Sequence, residues 1–296
     1  MSAMLARFAL VCLTILPIGA EEAAPPFVRQ EPKVSLHLPA VSEASGLAVS
    51  PKNPDRLWIV NDSGCSADLY RAGTDGSDHG KVAVQGAKNV DWEDLSSFVL
   101  DGKPYLLIAD TGDNNSNRPQ SQLYIVPEPK KKDQEVAVAW TIRFTFEDGP
   151  RDCESVAVDE KAGKILLISK RTSPPFLYEL PLKPAGNEPL VARKIGKITD
   201  PLSSGMPPVP YGTQPCGLDL SPDGKLAAVV TYFRVFLFPR SEGESWETAF
   251  ARKPVALEPH RLRQAESVCF SRDGASIFVD SEGAKSPLVC WRRGKE

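Results

Sequence analysis

The chain has 296 residues, a formal net charge of −3 and six cysteines. A mildly acidic chain lacks the basic face that a nucleic-acid partner needs, so we expect no nucleic-acid partner. The cysteines are too few for a disulfide scaffold, and the chain is long enough to bury a core without one.

The N-terminus has the pattern of a secretory signal peptide. Arg7 precedes the apolar stretch Phe8–Ile18, and Gly19 and Ala20 form a plausible cleavage site. This stretch is too short to span a membrane, and no other segment approaches the roughly 20 apolar residues of a transmembrane helix. We predict a secreted or periplasmic monomer with no transmembrane segment. Its predicted divisions are a signal peptide at 1–20, a flexible lead-in at 21–32 and a single β-propeller domain at 33–296.

Beyond residue 40, one β-hairpin pattern recurs five times: a strand, a tight turn, a second strand and a polar end. Three of the turns contain Asp-Gly, a dipeptide that tolerates the positive φ that a tight hairpin needs. The second residues of the copies lie 48 to 62 residues apart, about the length of one four-stranded propeller blade. These second residues are Gly46, Asp94, Ser155, Gly217 and Ser267.

The predicted fold is therefore an all-β propeller of five four-stranded blades. The fifth copy ends before its fourth strand, and the N-terminal strand Lys33–Pro39 is predicted to complete it, so that no edge stays unpaired. Six blades remain an alternative. A β-sandwich or an open barrel also suits alternating apolar runs, but a sandwich would not need one motif repeated along the whole chain.

In a propeller, the starts of the first strands and the ends of the second strands converge around one opening of the central channel. We call this ring of positions the upper rim. It explains the run "LLIADTGDNNSNR", in which an apolar strand ends in oxygen-bearing side chains. That run does not fit a helix–loop–helix calcium loop, because Arg118 and Tyr124 stand where Gly and Glu are required.

Carboxylates recur around the upper rim and would repel one another unless a cation, an arginine or a bound proton compensates. We predict one divalent metal ion, best matched by calcium with oxygen ligands at about 2.3–2.6 Å. The leading ligand candidates are Glu43, Asp110, Asp113, Glu154 and Glu266. The alternative is that these acids cap strands, meet water or pair with basic side chains such as Arg118, Lys170, Arg171 and Arg234.

Other chemistries have weaker support. Of the three histidines, only His260 is expected near the upper rim, so a Ser–His–Asp arrangement is incomplete. Cys153 and Cys216 stand at neighbouring first-strand starts, where a disulfide, a soft metal ligand, a nucleophile or a buried thiol are all possible readings. No G-x-S-x-G, H-E-x-x-H or phosphate-loop motif is present.

Several pieces of the chain together resemble a group of exported bacterial β-propeller proteins. These pieces are "SGLAVSPKNPDRLWIVNDSG", "DWEDLSSF", "LLIADTGDNNSNR", "DGPRDCESVAVD", "SPDGKLAAVVTY" and "ESVCFSRDG". The resemblance implies a propeller and export, and no particular activity. More distantly, the chain is similar to gluconolactonase and strictosidine-synthase-like propellers, which hold a divalent cation at the central opening. That similarity implies as ligands Glu43 or Glu154, Asn61, Asn114 and Asp110.

Two functional hypotheses follow. The first is a module whose upper rim binds a small molecule or an extracytoplasmic protein. The second is a metal-dependent hydrolase of lactones, phosphoesters or similar esters, in which Asp152, Glu154 or Glu282 acts as the base. Lys170 and Arg171 would then stabilise a developing anion. The sequence leaves open which hypothesis holds, what the ligand is and whether the five cysteines beyond the signal peptide form pairs.

Overall fold

The computed structural model describes residues 27–31, 33–203, 211–283 and 285–294, and the predicted signal peptide lies outside them. These residues form 22 β-strands and one short helix, α1, which confirms the prediction of an all-β protein. Across the described ranges, no helix has the length and apolar character to cross a membrane.

The strands are numbered in chain order. The first half comprises β1 (Phe27–Arg29), β2 (Val34–Ser35), β3 (Ala44–Val49), β4 (Arg56–Asn61), β5 (Asp68–Gly73), β6 (Asp78–Gln85), β7 (Trp92–Leu100), β8 (Lys103–Asp110), β9 (Ser121–Pro127), β10 (Glu135–Ala137) and β11 (Trp140–Phe146). The second half comprises β12 (Ser155–Asp159), β13 (Lys164–Ile168), β14 (Phe176–Pro181), β15 (Leu190–Lys197), β16 (Gly217–Leu220), β17 (Leu226–Val230), β18 (Val235–Pro239), α1 (Trp246–Phe250), β19 (Val255–Ala256), β20 (Ala265–Phe270), β21 (Ser276–Ser281) and β22 (Pro287–Arg293).

Each of the five sequence copies forms an antiparallel hairpin: β3–β4, β7–β8, β12–β13, β16–β17 and β20–β21. The glycines of the three Asp-Gly turns have positive φ, between 67° and 72°, as the dipeptide predicts. The five first strands contact one another in turn, and β20 contacts β3, so they close a cycle around a central axis. A β-carbon at Gly46 would lie 2.6 Å from the backbone nitrogen of Leu95, so this approach of β3 to β7 requires glycine.

The outer strands join these hairpins into four hydrogen-bonded sheets. Two of the sheets extend beyond one hairpin unit through parallel pairs. Strand β10 crosses to β6 of the first unit, and β11 pairs with β15, which merges the second and third units into one eight-stranded sheet. Five clusters of buried apolar side chains fill the spaces between consecutive hairpin units, including the space between the last unit and the first.

The N-terminal segment pairs with the last strand of the chain, but the pairing starts earlier than the sequence indicates. Within the predicted strand Lys33–Pro39, only Val34 and Ser35 pair with β22. Strand β1, which falls in the predicted lead-in, also pairs with β22, with Phe27 opposite Arg293. Phe27 is buried and its ring meets that of Phe270, so apolar contact holds this Pro-flanked piece in the sheet.

Candidate acidic site at the channel opening

Five carboxylates from three segments of the chain meet at the upper rim. They form two groups that share Glu93, and within each group the ligand oxygens lie within 4.8 Å of one another. We call Asp62, Asp91 and Glu93 the first acidic group. We call Glu93, Asp152 and Glu154 the second acidic group.

A β-bulge aims Glu93 at both groups. Trp92 pairs with Asp110 and Asp94 with Ala109, so Glu93 is the extra residue of β7. Bulges bend a strand and redirect one side chain, and they are common beside functional sites. Ser45 and Glu266 stand at the corresponding register shifts of β3 and β20. The local strand geometry therefore places one polar side chain per bulge at the opening.

The carboxylate of Glu93 is buried without a hydrogen-bond or ion-pair partner among the described residues. Its residue is 5% exposed, and among the described residues its carboxylate forms no hydrogen bond or ion pair. Burial, followed by the negative charges of Glu154 and Asp62, raises the pKa of Glu93 well above its usual value. An unpaired buried carboxylate is costly, so this side chain favours a proton or a bound cation.

The backbone leaves room for this side chain at Gly112. A β-carbon on Gly112 would overlap Oε1 of Glu93 and the carboxylate of Asp91. The amide of Gly112 donates to the carbonyl oxygen of Asp91 at 3.1 Å, which fixes the two loops together. Burial and the neighbouring Asp62 raise the pKa of Asp91 to about 6. The first acidic group is thus a crowded set of oxygens whose backbone neighbour is a glycine.

The second acidic group contains two basic partners. The Nζ of Lys170 pairs with Glu154, and Nε of Arg171 lies 2.7 Å from Oδ2 of Asp152. Arg171 also donates to Asn114, which is exposed. Burial raises the pKa of Glu154 to about 8 although Lys170 acts in the opposite direction. Hence the two acidic groups differ in charge despite their shared member.

Asp110 and Asp113, which end the run after β8, are engaged elsewhere. Oδ1 of Asp110 lies 2.9 Å from Nη2 of Arg118, and Oδ2 accepts from Gln122 at 3.2 Å. Both oxygens of Asp113 accept backbone amides, from Asn117 and Arg118, at 2.9 Å. Neither carboxylate belongs to the two acidic groups. The structure places them as internal supports of the loop that carries Gly112.

The other predicted ligands lie around the opening at different depths. Glu43 is exposed, whereas Asn61 is buried and its amide donates to the carbonyl of Ala40 at 2.9 Å. Glu266 is buried and accepts from Gln264 at 3.2 Å. Burial and Glu266 raise the pKa of Glu282 to about 8. Of the predicted ligands, only Glu154 belongs to one of the two acidic groups.

Burial disfavours the charged forms of His260 and of the cysteines. His260 is fully buried, with Nε2 3.1 Å from the carbonyl of Thr231 and Nδ1 accepting the amide of Leu262 at 3.1 Å. Burial lowers its pKa to about 4. All five cysteines of the described residues are unpaired, and burial raises the thiol pKa of Cys153 and Cys216.

The ligand candidates chosen from the sequence did not include three of the rim residues: Asp62, Asp91 and Glu93. A signal for Glu93 was present, since it precedes the second residue of its copy as Glu154 and Glu266 do. Their neighbour Asp94 has a structural role. Its Oδ2 accepts the amides of Val156 and Leu218 at 2.7 and 3.2 Å, which ties three first strands together across the channel.

No protein-family model matches the sequence, and a search of curated proteins gives no match. Among solved structures, the PQQ-bound form of an aldose sugar dehydrogenase from Streptomyces coelicolor aligns with a TM-score of 0.52 at 11% identity, over 91% of this chain and 99% of that chain. A 6-phosphogluconolactonase-like protein from Bacteroides uniformis aligns with a TM-score of 0.42 at 13% identity, over 85% of this chain and 68% of that chain. The similarity to the dehydrogenase, a β-propeller, shows the propeller fold and carries no activity.

Proposed function

We propose that this chain is an exported propeller whose upper rim binds one divalent cation, Ca²⁺, and thereby serves as a binding module for a small molecule or an extracytoplasmic protein. The observation that carries the proposal is Glu93, a buried carboxylate without a partner, held beside Asp62 and Asp91. The first acidic group is the better cation site, because no basic side chain contacts it among the described residues.

The donor set suits a hard cation. Three carboxylates offer oxygen ligands, and a 4.8 Å limit between ligand oxygens is compatible with metal–oxygen distances of about 2.3–2.6 Å. Ca²⁺ fits better than Mg²⁺, because Ca²⁺ accepts irregular carboxylate geometry whereas Mg²⁺ demands a near-ideal octahedron. The set lacks the sulfur and imidazole ligands that favour zinc.

The position of the group supports a ligand-binding role. Asp62 and Asp91 are half-buried, so the group opens toward solvent on one side. Val90, beside Asp91, is 51% exposed, and Tyr211 on the basic side is 54% exposed. Apolar surface beside convergent polar groups is the usual composition of a binding site. The PQQ of the Streptomyces coelicolor dehydrogenase does not transfer to this chain, because 11% identity carries the fold alone.

Thermal unfolding in Ca²⁺, Mg²⁺ and EDTA tests the cation. A ligand that binds only the folded state stabilises it by about 2.7 kcal/mol at 100 times its Kd. We expect Ca²⁺ to raise the Tm of the wild type and to leave the Tm of Glu93→Gln unchanged. Glu188→Gln, an exposed carboxylate away from the opening, is the matched control and should respond like the wild type. No response of the wild type to any ion would sink the proposal.

A hydrolase is the second candidate, and Glu282 favours it. This half-buried rim residue has a pKa of about 8, raised by burial and by Glu266, so it holds a proton near neutral pH as a general acid must. A bound cation would supply polarisation of a substrate oxygen. Panels of lactones, aryl esters and phosphoesters, with and without Ca²⁺, separate the candidates. Ca²⁺-dependent turnover that Glu282→Gln lowers would establish the hydrolase, whereas no turnover favours the binding module.

We further propose five blades for the propeller. The closed cycle of five first strands and the five interleaved apolar clusters support this number, with β11–β15 as a bridge between the second and third blades. Export rests on the signal-peptide pattern of residues 1–20. N-terminal sequencing of the secreted protein should give a start near Glu21.

A further inference from the structure

The two acidic groups differ in the cations that they already contain. Each holds three carboxylates. The first group forms no ion pair among the described residues, so its formal charge is −3 when ionised; Arg118, which pairs with Asp110, acts on Asp91 only through space. The second group contacts Lys170 and Arg171, which reduces its formal charge to −1. The two groups therefore differ in charge, although each has three carboxylates.

Lys170 is buried beside Glu154 of the second group. Its side chain is 2% exposed, and its ammonium contacts Glu154, the hydroxyl of Tyr232 at 3.3 Å and the Tyr232 ring at 5.2 Å. The backbone amide of Lys170 donates to the carbonyl of Asp152 at 2.9 Å, which anchors the residue to the group that it neutralises. A buried ammonium of this kind is costly to desolvate unless carboxylates surround it.

We infer that the Lys170 ammonium is a tethered cation that neutralises Glu154 in the second acidic group and limits the opening to one divalent ion. Without it, Glu93, Asp152 and Glu154 become a second site for a hard divalent cation. The inference rests on the proposed cation-binding function. Ammonium–carboxylate contacts of about 2.7–2.9 Å and Ca²⁺–oxygen contacts of about 2.3–2.6 Å are similar, so an ion can replace the ammonium with little movement of Glu154.

Charge and geometry both support replacement of the Lys170 ammonium by a divalent ion. Removing Lys170 leaves three carboxylates and Arg171, a formal charge of −2 that one divalent ion balances. Glu93 has no partner of its own in either group and supplies the shared ligand. Arg171 reaches Asp152 from the side of the exposed Asn114, and it does not contact Glu93 or Glu154.

The test counts bound ions. Native mass spectrometry and calorimetry with Ca²⁺ as the probe should give one ion for the wild type and two for Lys170→Met, which keeps the aliphatic stem. Lys170→Arg, which keeps the charge, should bind one. Lys164→Met is the matched control on the same hairpin, because its Nζ pairs with Glu179 at 2.8 Å away from the opening, and it should also bind one.

The outcomes separate this inference from the proposed function. One ion for both the wild type and Lys170→Met would overturn the inference and leave the cation site of the proposed function standing. No ion for the wild type would overturn the proposed function; one ion for Lys170→Met in that case would support only the part of the inference in which Lys170 keeps a cation out of the second acidic group. If Lys170→Met does not fold, Lys170→Gln retains a donor for Glu154 and serves the same count. Lys170→Met with Glu154→Gln should return to one ion; two ions there would contradict the role of Glu154.

Discussion

Two acidic stretches flank the same hairpin and differ in one respect. At the end of β8, the oxygens of Asp110 and Asp113 bond Arg118, Gln122 and backbone amides. At the start of β7, Glu93 has no such bonds, although it is almost as deeply buried. The comparison teaches that a buried carboxylate without partners favours a proton or a bound cation, whereas equally buried but paired ones build the scaffold.

The largest effect should come from breaking the paired stretch. Asp110→Asn leaves the Arg118 guanidinium without its carboxylate partner, and breaking a buried pair costs about 3 kcal/mol or more of the free energy of unfolding. Urea unfolding in EDTA measures this loss. Ca²⁺ affinity should fall less than in Glu93→Gln, because Asp110 is outside both acidic groups and supports the first group only through the backbone amide of Asp91, which it accepts at 3.1 Å. A variant that keeps its stability but loses Ca²⁺ would instead make Asp110 a ligand, as the sequence predicts.

A smaller effect, on Ca²⁺ affinity and not on stability, is expected at Gly112. The β-carbon of Gly112→Ala displaces the carboxylates of Asp91 and Glu93, so Ca²⁺ affinity should fall about tenfold or more, which corresponds to at least about 1.4 kcal/mol. Calorimetric titration measures the affinity. Gly186→Ala is the control, because a β-carbon there meets no atom within 4 Å. Equal Ca²⁺ affinity in both variants would remove the first acidic group from consideration.

Sequence patterns predicted the scaffold better than the site. The hairpins were evident because alternating apolar residues and Asp-Gly turns act locally, and all five formed. The parallel pairs β10–β6 and β11–β15 depend on how neighbouring sheets meet, which no local pattern encodes. Strand β1 was missed because its one buried aromatic, Phe27, stands among prolines.

Within the site, the sequence predicted which acidic residues lie at the rim but not which partners each one contacts. The repeat places Glu93, Glu154 and Glu266 alike, and the sequence therefore brought all three to one opening. Their partners come from elsewhere in the chain: Glu154 meets Lys170, and Glu266 lies beside Gln264 and Glu282. Arg118 was recognised as a possible partner, but which acid it would meet required the loop conformation. Choosing the ligands therefore needed the three-dimensional contacts.

The smallest expected effect is on the pH dependence of the free energy of unfolding, which should differ between an unpaired and a paired carboxylate. Burial raises the pKa of Asp280 to about 7; Ser267 bonds its Oδ1, and its buried Oδ2 has no partner among the described residues. The folded chain thus retains a proton that the unfolded chain releases near pH 4, so the free energy of unfolding falls as pH rises from about 4 to about 7. Asp280→Asn removes this dependence and should be the more stable protein at pH 8, by on the order of 1 kcal/mol.

Asp159 is the control for Asp280, and its change should have the opposite sign. Burial acts to raise its pKa, but the amide of Ala162, Trp246 and Arg240 hold the pKa below its usual value. Its stabilisation is present above pH 4 and is lost as pH falls through the lowered pKa, so Asp159→Asn should be less stable than the wild type at pH 8. Urea unfolding in EDTA measures the slope due to Asp280 between pH 4 and pH 8, and the loss of stability of Asp159→Asn at pH 8. If Asp280→Asn were also less stable than the wild type at pH 8, the Asp280 carboxylate would have a stabilising partner in the wild type. The contrast between paired and unpaired acids would then hold only at the upper rim.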